Sequence, residues 1–531
     1  MGSKRTSKGD MTLKNSLVIS RRDFTRALIA LPFAARAQQG PLRARVKIDT
    51  DRTIGAIDPK IYGNFIEHLG RCIDGGVFEE GSPLSDANGF RRDVMDAAKK
   101  LNVTVLRWPG GNFVSNYNWK DGIGPRDERP RRLEMAWGTV ESNRFGTHEF
   151  LEYAQMLGTE PYVAVNLGTG TWTEAQQWVE YVNSSQDTAM TRARKQNGRQ
   201  DPWKVTYWGL GNEMDGPWQM GHRSAEDYGK FALEAAKLMR WTDPNIKLIA
   251  AGSSHFGQGI DWIGWNRTIL EYLKRHIDYL AIHLYVGNRD NDYYEFLSSS
   301  VDLDERIETT EGVINAAMSG EPRDRRIYIA WDEWNVWYRA RGTQQRGRRI
   351  LEERYNLEDA LVVATLLSSF VNHAHIIKMA NMAQLVNVIA PIFTDEKGMF
   401  LQTIYYPLYL FANNTKGNAL ELFVESPKYE SKRFGLVPYL DTSAGYDGGT
   451  LVLNVVNRHR DQAIDAEFET QDKQFAGPVE IAEVNGPDIK AENDFGSTKV
   501  QTVMRSTKAE GRRLRYRLPP HSYTMLKAKL V

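Results

Sequence analysis

The sequence predicts an α/β fold: a (β/α)8 TIM barrel followed by a C-terminal all-β sandwich, jelly-roll-like in its strand spacing. Three observations predict it. Eight short apolar segments alternate with helix-like stretches across the first four-fifths of the chain. No glycine-rich phosphate loop follows the first of these segments, which disfavours a nucleotide-binding open sheet. From about Gly417 the helical pattern fades into short strands separated by turns such as Asp447-Gly448-Gly449.

Taken in order, residues 1–38 read as an export leader. Ser20-Arg21-Arg22-Asp23-Phe24 precedes an apolar run and then Ala35-Arg36-Ala37, resembling a twin-arginine signal with cleavage after Ala37. A periplasmic or secreted location is the expectation. The apolar run is too short to cross a membrane, and no later stretch reaches the ~18 apolar residues of a span. Residues 39–55 contain one alternating strand, Ala44–Asp49, with no helix to pair it; it is expected to join the sandwich.

The barrel is expected over residues 56–416. Its strands are Ile61–Glu67, Val103–Trp108, Pro161–Leu167, Val205–Leu210, Ile246–Ala251, Tyr279–Tyr285, Ile327–Trp331 and Ile376–Met382. Helices are expected between them at Phe90–Leu101, His148–Leu157, Thr173–Asn183, Ser224–Arg240, Asp304–Met318 and Glu358–Val371, with Ser224 and Asp227 as a capping-box-like start. The sandwich is expected over 417–531, with strands including Phe434–Leu440 and Thr450–Asn457.

Composition narrows the function. A formal net charge of +1 offers no electrostatic footprint for nucleic acid. The single cysteine, Cys72, excludes an intramolecular disulfide and any cysteine-based metal cluster, and reads as a packing residue. Trp108, Trp119, Trp137, Trp218 and Trp334 are candidates for a sugar platform, though each alone reads more simply as packing, and the basic run from Arg126 to Arg132 reads as a solvated loop.

In such a barrel the C-terminal strand ends converge on one pocket. The first strand ends at Glu67-His68, the second at Arg107, the fourth at Asn212-Glu213 and the seventh at Asp332-Glu333. The sixth carries His283 and Tyr285 on one face, and Gln384, Asn387 and Gln402 follow the eighth. A strand ending on a carboxylate is costly without a partner or a task. Glu213 and Glu333 are the pair for glycoside cleavage: one carboxyl donates a proton and the other attacks the sugar. Asn212 is suited to a sugar hydroxyl beside the reacting carbon, and Tyr285 and Arg107 to the nucleophile's oxygens. Buried ion pairing of the same glutamates is the bland alternative. His68 and His283 show no metal-ligand spacing and read as wall residues, so neither metal nor cofactor is expected.

Five stretches carry a family likeness: Tyr62–His68, Arg107–Phe113, Trp208–Trp218, His283–Asn288 and Asp332–Tyr338. The chain resembles, from about residue 44 to its end, the α-L-arabinofuranosidases of glycoside hydrolase family 51. That resemblance implies an exo-acting, retaining enzyme that releases terminal arabinofuranose from arabinan- or arabinoxylan-type oligo- or polysaccharides. It implies Glu213 as acid/base, Glu333 as nucleophile, and Glu67, Asn112, Asn212, Tyr285 and Gln402 as furanose ligands. Arg107 and His283 would orient the nucleophile, and a hexamer is the implied assembly. A galactofuranosidase, an endoglucanase on the same barrel, and a non-catalytic carbohydrate-binding protein remain alternatives.

Overall fold

The computed structural model describes residues 41–340 and 347–531. The expected leader and its cleavage point lie outside the described residues. Eight parallel strands close a barrel: Gly63–Phe65, Val105–Trp108, Glu160–Val165, Tyr207–Leu210, Lys247–Ala251, Tyr279–Val286, Tyr328–Val336 and Ile377–Ala383. Each overlaps an apolar segment expected from the sequence. In the text below they are the first to eighth barrel strands.

Alternation along these strands builds two layers inside the barrel. Val105, Tyr162, Ile249, Tyr279, Ala281, Ala330 and Met379 pack together within it. Two residues further on, towards the C-terminal ends, the same inward face carries Arg107, His283 and Asp332 in place of apolar groups. The polar ring is thus the direct continuation of the core. Outside, the larger core joins strands to helices, which include Arg92–Leu101, Thr147–Leu157, Trp172–Asn183, Ala225–Thr242, Ser299–Ala317 and Leu357–Asn372. Ser224 caps its helix as expected, its side chain accepting from the Asp227 amide at 3.1 Å. Further helices at Trp262–Leu273 and Tyr405–Asn414 are rich in aromatic residues, which blur a helical period in sequence.

The C-terminal region forms a nine-stranded sheet that takes in the N-terminal strand Leu42–Ala56. That strand runs antiparallel to Asn418–Glu425, pairing Val46 with Val424 and Ile48 with Leu422. One expected strand is drawn differently. Gly435–Pro438 leaves the sheet and pairs with Lys428–Ser431 as a separate hairpin, and Leu440–Asp447 takes the place in the sheet. The Ser431 hydroxyl accepts from the Arg433 and Phe434 amides and so builds the hairpin's turn.

The run from Arg126 to Arg132 is not a plain solvated loop. Arg129 is buried and makes a two-pronged contact with Glu149, at 2.9 and 3.0 Å, while Arg126 reaches the same carboxylate at 2.8 Å. Glu149 also closes the start of its helix through the Gly146 amide, so the arginines serve to seat that helix. Cys72 is buried among apolar groups, and burial pushes its thiol up to about 12, which suits the packing role.

Candidate active site

The fourth strand delivers Glu213 through an unusual backbone. Gly211 has φ +83° and Glu213 itself φ +44°, a left-handed conformation that costs a side-chain-bearing residue ~1–3 kcal/mol. The turn closes with the Gly216 amide donating to the Glu213 carbonyl at 2.8 Å. The strained residue is the one whose side chain enters the barrel mouth.

The seventh strand delivers two acids. In a regular strand Asp332 and Glu333 point to opposite faces. Here the pairing with the sixth strand slips between Ala330 and Glu333, and the pairing with the eighth slips between Trp331 and Trp334. A bulge of this kind re-aims a side chain, and both carboxylates reach the site.

Glu333 is gripped from two sides. Arg107 Nη1 donates to Oε2 at 2.8 Å, and the Tyr285 hydroxyl donates to Oε1 at 2.8 Å. Arg107 also donates from Nη2 to Asn212 Oδ1 at 2.6 Å and from Nη1 to the Asp332 carbonyl at 3.1 Å. Its guanidinium lies 4.4 Å from the Phe65 ring centroid. Burial works against its charge, but Asp332 and Glu333 outweigh it and keep Arg107 charged.

His283 stands between the acids. Its Nδ1 is 3.0 Å from Glu213 Oε1 and 3.5 Å from Glu333 Oε2, and its Nε2 is 3.1 Å from Asp332 Oδ1. Burial opposes the charged ring; Glu333 and Asp332 reverse that and hold its pKa at about 10. Asp332 has been pulled below the ordinary carboxylate range: burial would raise it, but Arg107, His283 and the Tyr162 hydroxyl at 2.7 Å stabilise the anion. Glu213 is pushed the other way, by burial first and the charge of Glu333 second. Its Oε2 accepts from Trp218 Nε1 at 2.6 Å. A carboxyl oxygen of Glu213 and one of Glu333 lie within 4.8 Å. With His283 they make a cluster compact enough for a cation. A protonated ring with both nitrogens engaged has no lone pair to offer a metal.

Glu67 completes the mouth. Its Oε1 accepts from the Phe113 amide at 3.0 Å and Trp137 Nε1 at 3.1 Å, and its Oε2 from Gln384 Nε2 at 2.9 Å. Burial, reinforced by Glu333, pushes it up to about 7. Asn112, half-buried, opens the short helix Asn112–Asn116 after Gly111. His68 is a wall residue. Trp108 Nε1 donates to its Nε2 at 3.1 Å, and because an indole only donates, that nitrogen is unprotonated and Nδ1 carries the proton towards Glu141 at 3.0 Å.

A Cβ at Gly111 would sit 3.2 Å from Glu67 Oε2, 3.4 Å from Glu333 Oε2 and 3.6 Å from Asn212 Nδ2. That Asn212 amide nitrogen is buried with no hydrogen-bond partner among the described residues. Three polar atoms facing one gap mark the place for a polyhydroxyl ligand. Gly111→Ala should therefore fold normally and lose about 100-fold in kcat/KM, the scale of a misplaced substrate; steady-state kinetics beside a thermal melt checks it.

One expectation is corrected. Gln402 is not in this site. Its amide is spent on backbone: Oε1 accepts from Tyr355 at 3.0 Å, and Nε2 donates to Glu353 and Ala390 carbonyls, each at 2.9 Å. Gln384 is the glutamine that touches Glu67. Of the five tryptophans, Trp108, Trp119 and Trp334 are buried packing residues, whereas Trp137 and the half-exposed Trp218 reach the acids. Tyr162 was missed, and Asp332, collected at a strand end, was given no role. A hydroxyl inside a barrel strand and an acid beside the nucleophile were the available signals.

The chain is similar to known proteins over most of its length. A family model of the α-L-arabinofuranosidase 1 domain matches residues 97–304, and one of the α-L-arabinofuranosidase C-terminal domain matches residues 332–522. The chain is 41% identical over 467 residues to the Bacillus subtilis intracellular exo-α-(1→5)-L-arabinofuranosidase 1, covering 86% of this chain and 93% of the relative. It is 40% identical over 503 residues to α-L-arabinofuranosidase C of Emericella nidulans, covering 91% and 97%. The arabinose complex of the Thermotoga maritima α-L-arabinofuranosidase superposes with a TM-score of 0.85 at 37% identity, covering 92% of this chain and all of that one.

These relatives overturn the expected export. The Bacillus subtilis, Halalkalibacterium halodurans and Streptomyces lividans proteins are all named intracellular. A periplasmic or secreted location is therefore not assigned to this chain. With both family models matched and about two-fifths identity along most of its length, the chain belongs to the glycoside hydrolase family 51 α-L-arabinofuranosidases.

Proposed function

We propose that Glu213 and Glu333 carry out a retaining, exo-acting release of terminal α-L-arabinofuranose. The observation that carries this is the pair itself: oxygens within 4.8 Å, one carboxyl pushed towards its protonated form and the other held by Arg107 and Tyr285. Carboxyls ~5–5.5 Å apart suit direct attack, while an inverting pair stands ~6.5–9.5 Å apart to admit water. Glu333 attacks the anomeric carbon as Glu213 gives its proton to the departing oxygen. The sugar is then an ester of Glu333. Glu213, now a carboxylate, takes a proton from water, the water oxygen bonds to the anomeric carbon, and the ester breaks. Glu67, Asn112, Asn212 and Tyr285 bind the furanose, and Arg107 and His283 orient the nucleophile. Residues 56–416 act as the catalytic barrel and 417–531 with 39–55 as its β-rich companion.

Arabinan- or arabinoxylan-type glycans are the proposed substrates, supported by the exo-α-(1→5) specificity in a relative's name. A hexamer is the proposed assembly, checked by light scattering on the eluting protein. The deciding experiment is hydrolysis of a panel of aryl glycosides with NMR of the first-formed anomer. Cleavage of the α-L-arabinofuranoside with the α-anomer first is expected. The β-anomer first overturns retention, and preference for a galactofuranoside or β-glucoside overturns the substrate.

The raised Glu67 also predicts a pH effect on stability. The folded protein holds this proton to about pH 7, whereas a free glutamate releases it near 4.5. Through that window the unfolded chain binds fewer protons, so this group's contribution falls as pH rises and is fully lost above the folded value. Glu67→Gln should flatten the decline in melting temperature between those two pH values, read from a pH series of thermal melts.

A further inference from the structure

Directly after the nucleophile's strand the chain turns, and three successive amides of that turn donate to one buried carboxylate. Glu353 is 1% exposed. Its Oε1 accepts from the amides of Tyr338 at 3.2 Å and Arg339 at 2.8 Å, and its Oε2 from the amide of Ala340 at 2.8 Å. Successive N–H groups converging on an anion form a stiff cradle; here the anion belongs to the chain itself. The Arg339 guanidinium lies 3.8 Å from Glu353 and 2.8 Å from Asp359, so the two carboxylates share one cation. Gln402 locks the carboxylate's own backbone through its bonds to the Glu353 carbonyl and the Tyr355 amide, and the Tyr355 hydroxyl returns to the Val336 carbonyl at 2.7 Å.

The turn brings two aromatic side chains against the sixth strand and its loop. Trp337 meets Tyr285 edge-on, ring centroids 5.2 Å apart at 77°, and its amide donates to the Val286 carbonyl at 2.8 Å. Tyr338 lies so close over Gly287 that a Cβ there would collide with it. Tyr285 is the residue whose hydroxyl holds Glu333.

We infer that Glu353 is a positioning residue of the glycosidase reaction: it fixes the turn 337–340, the turn fixes the Tyr285 ring, and Tyr285 holds the nucleophile. This rests on Glu333 being the nucleophile. A glutamine at 353 keeps the size but replaces one accepting oxygen by a donor, which faces an amide N–H and cannot bond it. Glu353→Gln should lower kcat by about 10–100-fold, the cost of a slightly misplaced reacting group. KM on an aryl α-L-arabinofuranoside should change less than kcat, because of the four furanose ligands only Tyr285 rests on this turn, while Glu67, Asn112 and Asn212 lie elsewhere.

The decisive measurement is a double-mutant cycle with Tyr285→Phe. Parent turnover and its loss in Glu333→Ala are recorded first, so a failure of the nucleophile assignment shows there, and a failure of the relay shows only in the cycle. If the relay runs through Tyr285, Glu353→Gln in the Tyr285→Phe background costs no more than about twofold. The full penalty repeated in that background overturns the inference. So does a lowered melting temperature with unchanged kcat. Should Glu353→Gln fail to fold, Trp337→Phe probes the other end of the relay in the same two backgrounds, with the same pair of outcomes.

Discussion

Glu333→Ala is expected to remove turnover by roughly five to six powers of ten, the scale of losing a nucleophile. Its fold should persist, because Arg107 keeps Asn212 and the Asp332 carbonyl as partners and His283 keeps Glu213 and Asp332. A thermal melt of the purified variant checks that. Added azide supplies a sharper readout. It fits the space left by the carboxylate, attacks the anomeric carbon from the same side, and yields the β-glycosyl azide, of inverted configuration. Turnover close to the parent's, or an azide product of retained configuration, contradicts Glu333 as nucleophile.

Glu213→Ala should separate substrates by leaving group. An activated phenolate departs without a proton, so its bond to the sugar still breaks; an alkoxide from a natural glycan does not, and about 100- to 10,000-fold is lost there. Water attack on the ester is slowed in both, and azide, which needs no base, should restore turnover on the activated substrate as the α-azide. The alkaline limb of the kcat/KM profile should disappear as well. In the parent that limb reports loss of the Glu213 proton, whose pKa burial and Glu333 hold up. An equal loss on both substrate types, with the limb intact, contradicts the acid role.

Much of this site was legible before any coordinates. Strand-end carboxylates at Glu213 and Glu333 violate the rule for apolar strands, and a barrel turns such violations into neighbours. Arg107, His283 and Tyr285 were legible for the same reason, since each lies on an inward position of its strand. Gln384 and Gln402 were not separable, because a side-chain amide's partners depend on loops that sequence spacing does not place. Trp137 was a candidate only by type. It reaches Glu67 because the hairpin of Arg132–Glu134 and Thr139–Glu141 carries it there, fastened through Glu141 to His68. The export expectation rested on an ordered local motif, Ser20–Phe24 ahead of Ala35–Ala37, and the intracellular names of the relatives contradict the location it implied.

By itself the sequence determined the barrel and the strands that bear the acids, because hydrophobic period and strand-end polarity are local properties; the family came from the likeness of five motifs, not from either property. Tertiary structure decided which carboxylates meet and in what state. A bulge in the seventh strand turns both Asp332 and Glu333 into the barrel where simple alternation sends one of them out. Burial and the charge of Glu333 then set Glu213 towards protonation, while neighbouring charges overcome burial to hold His283 protonated and Asp332 ionised. Those settings depend on distances between residues far apart in the chain, and only the closed barrel fixes those distances.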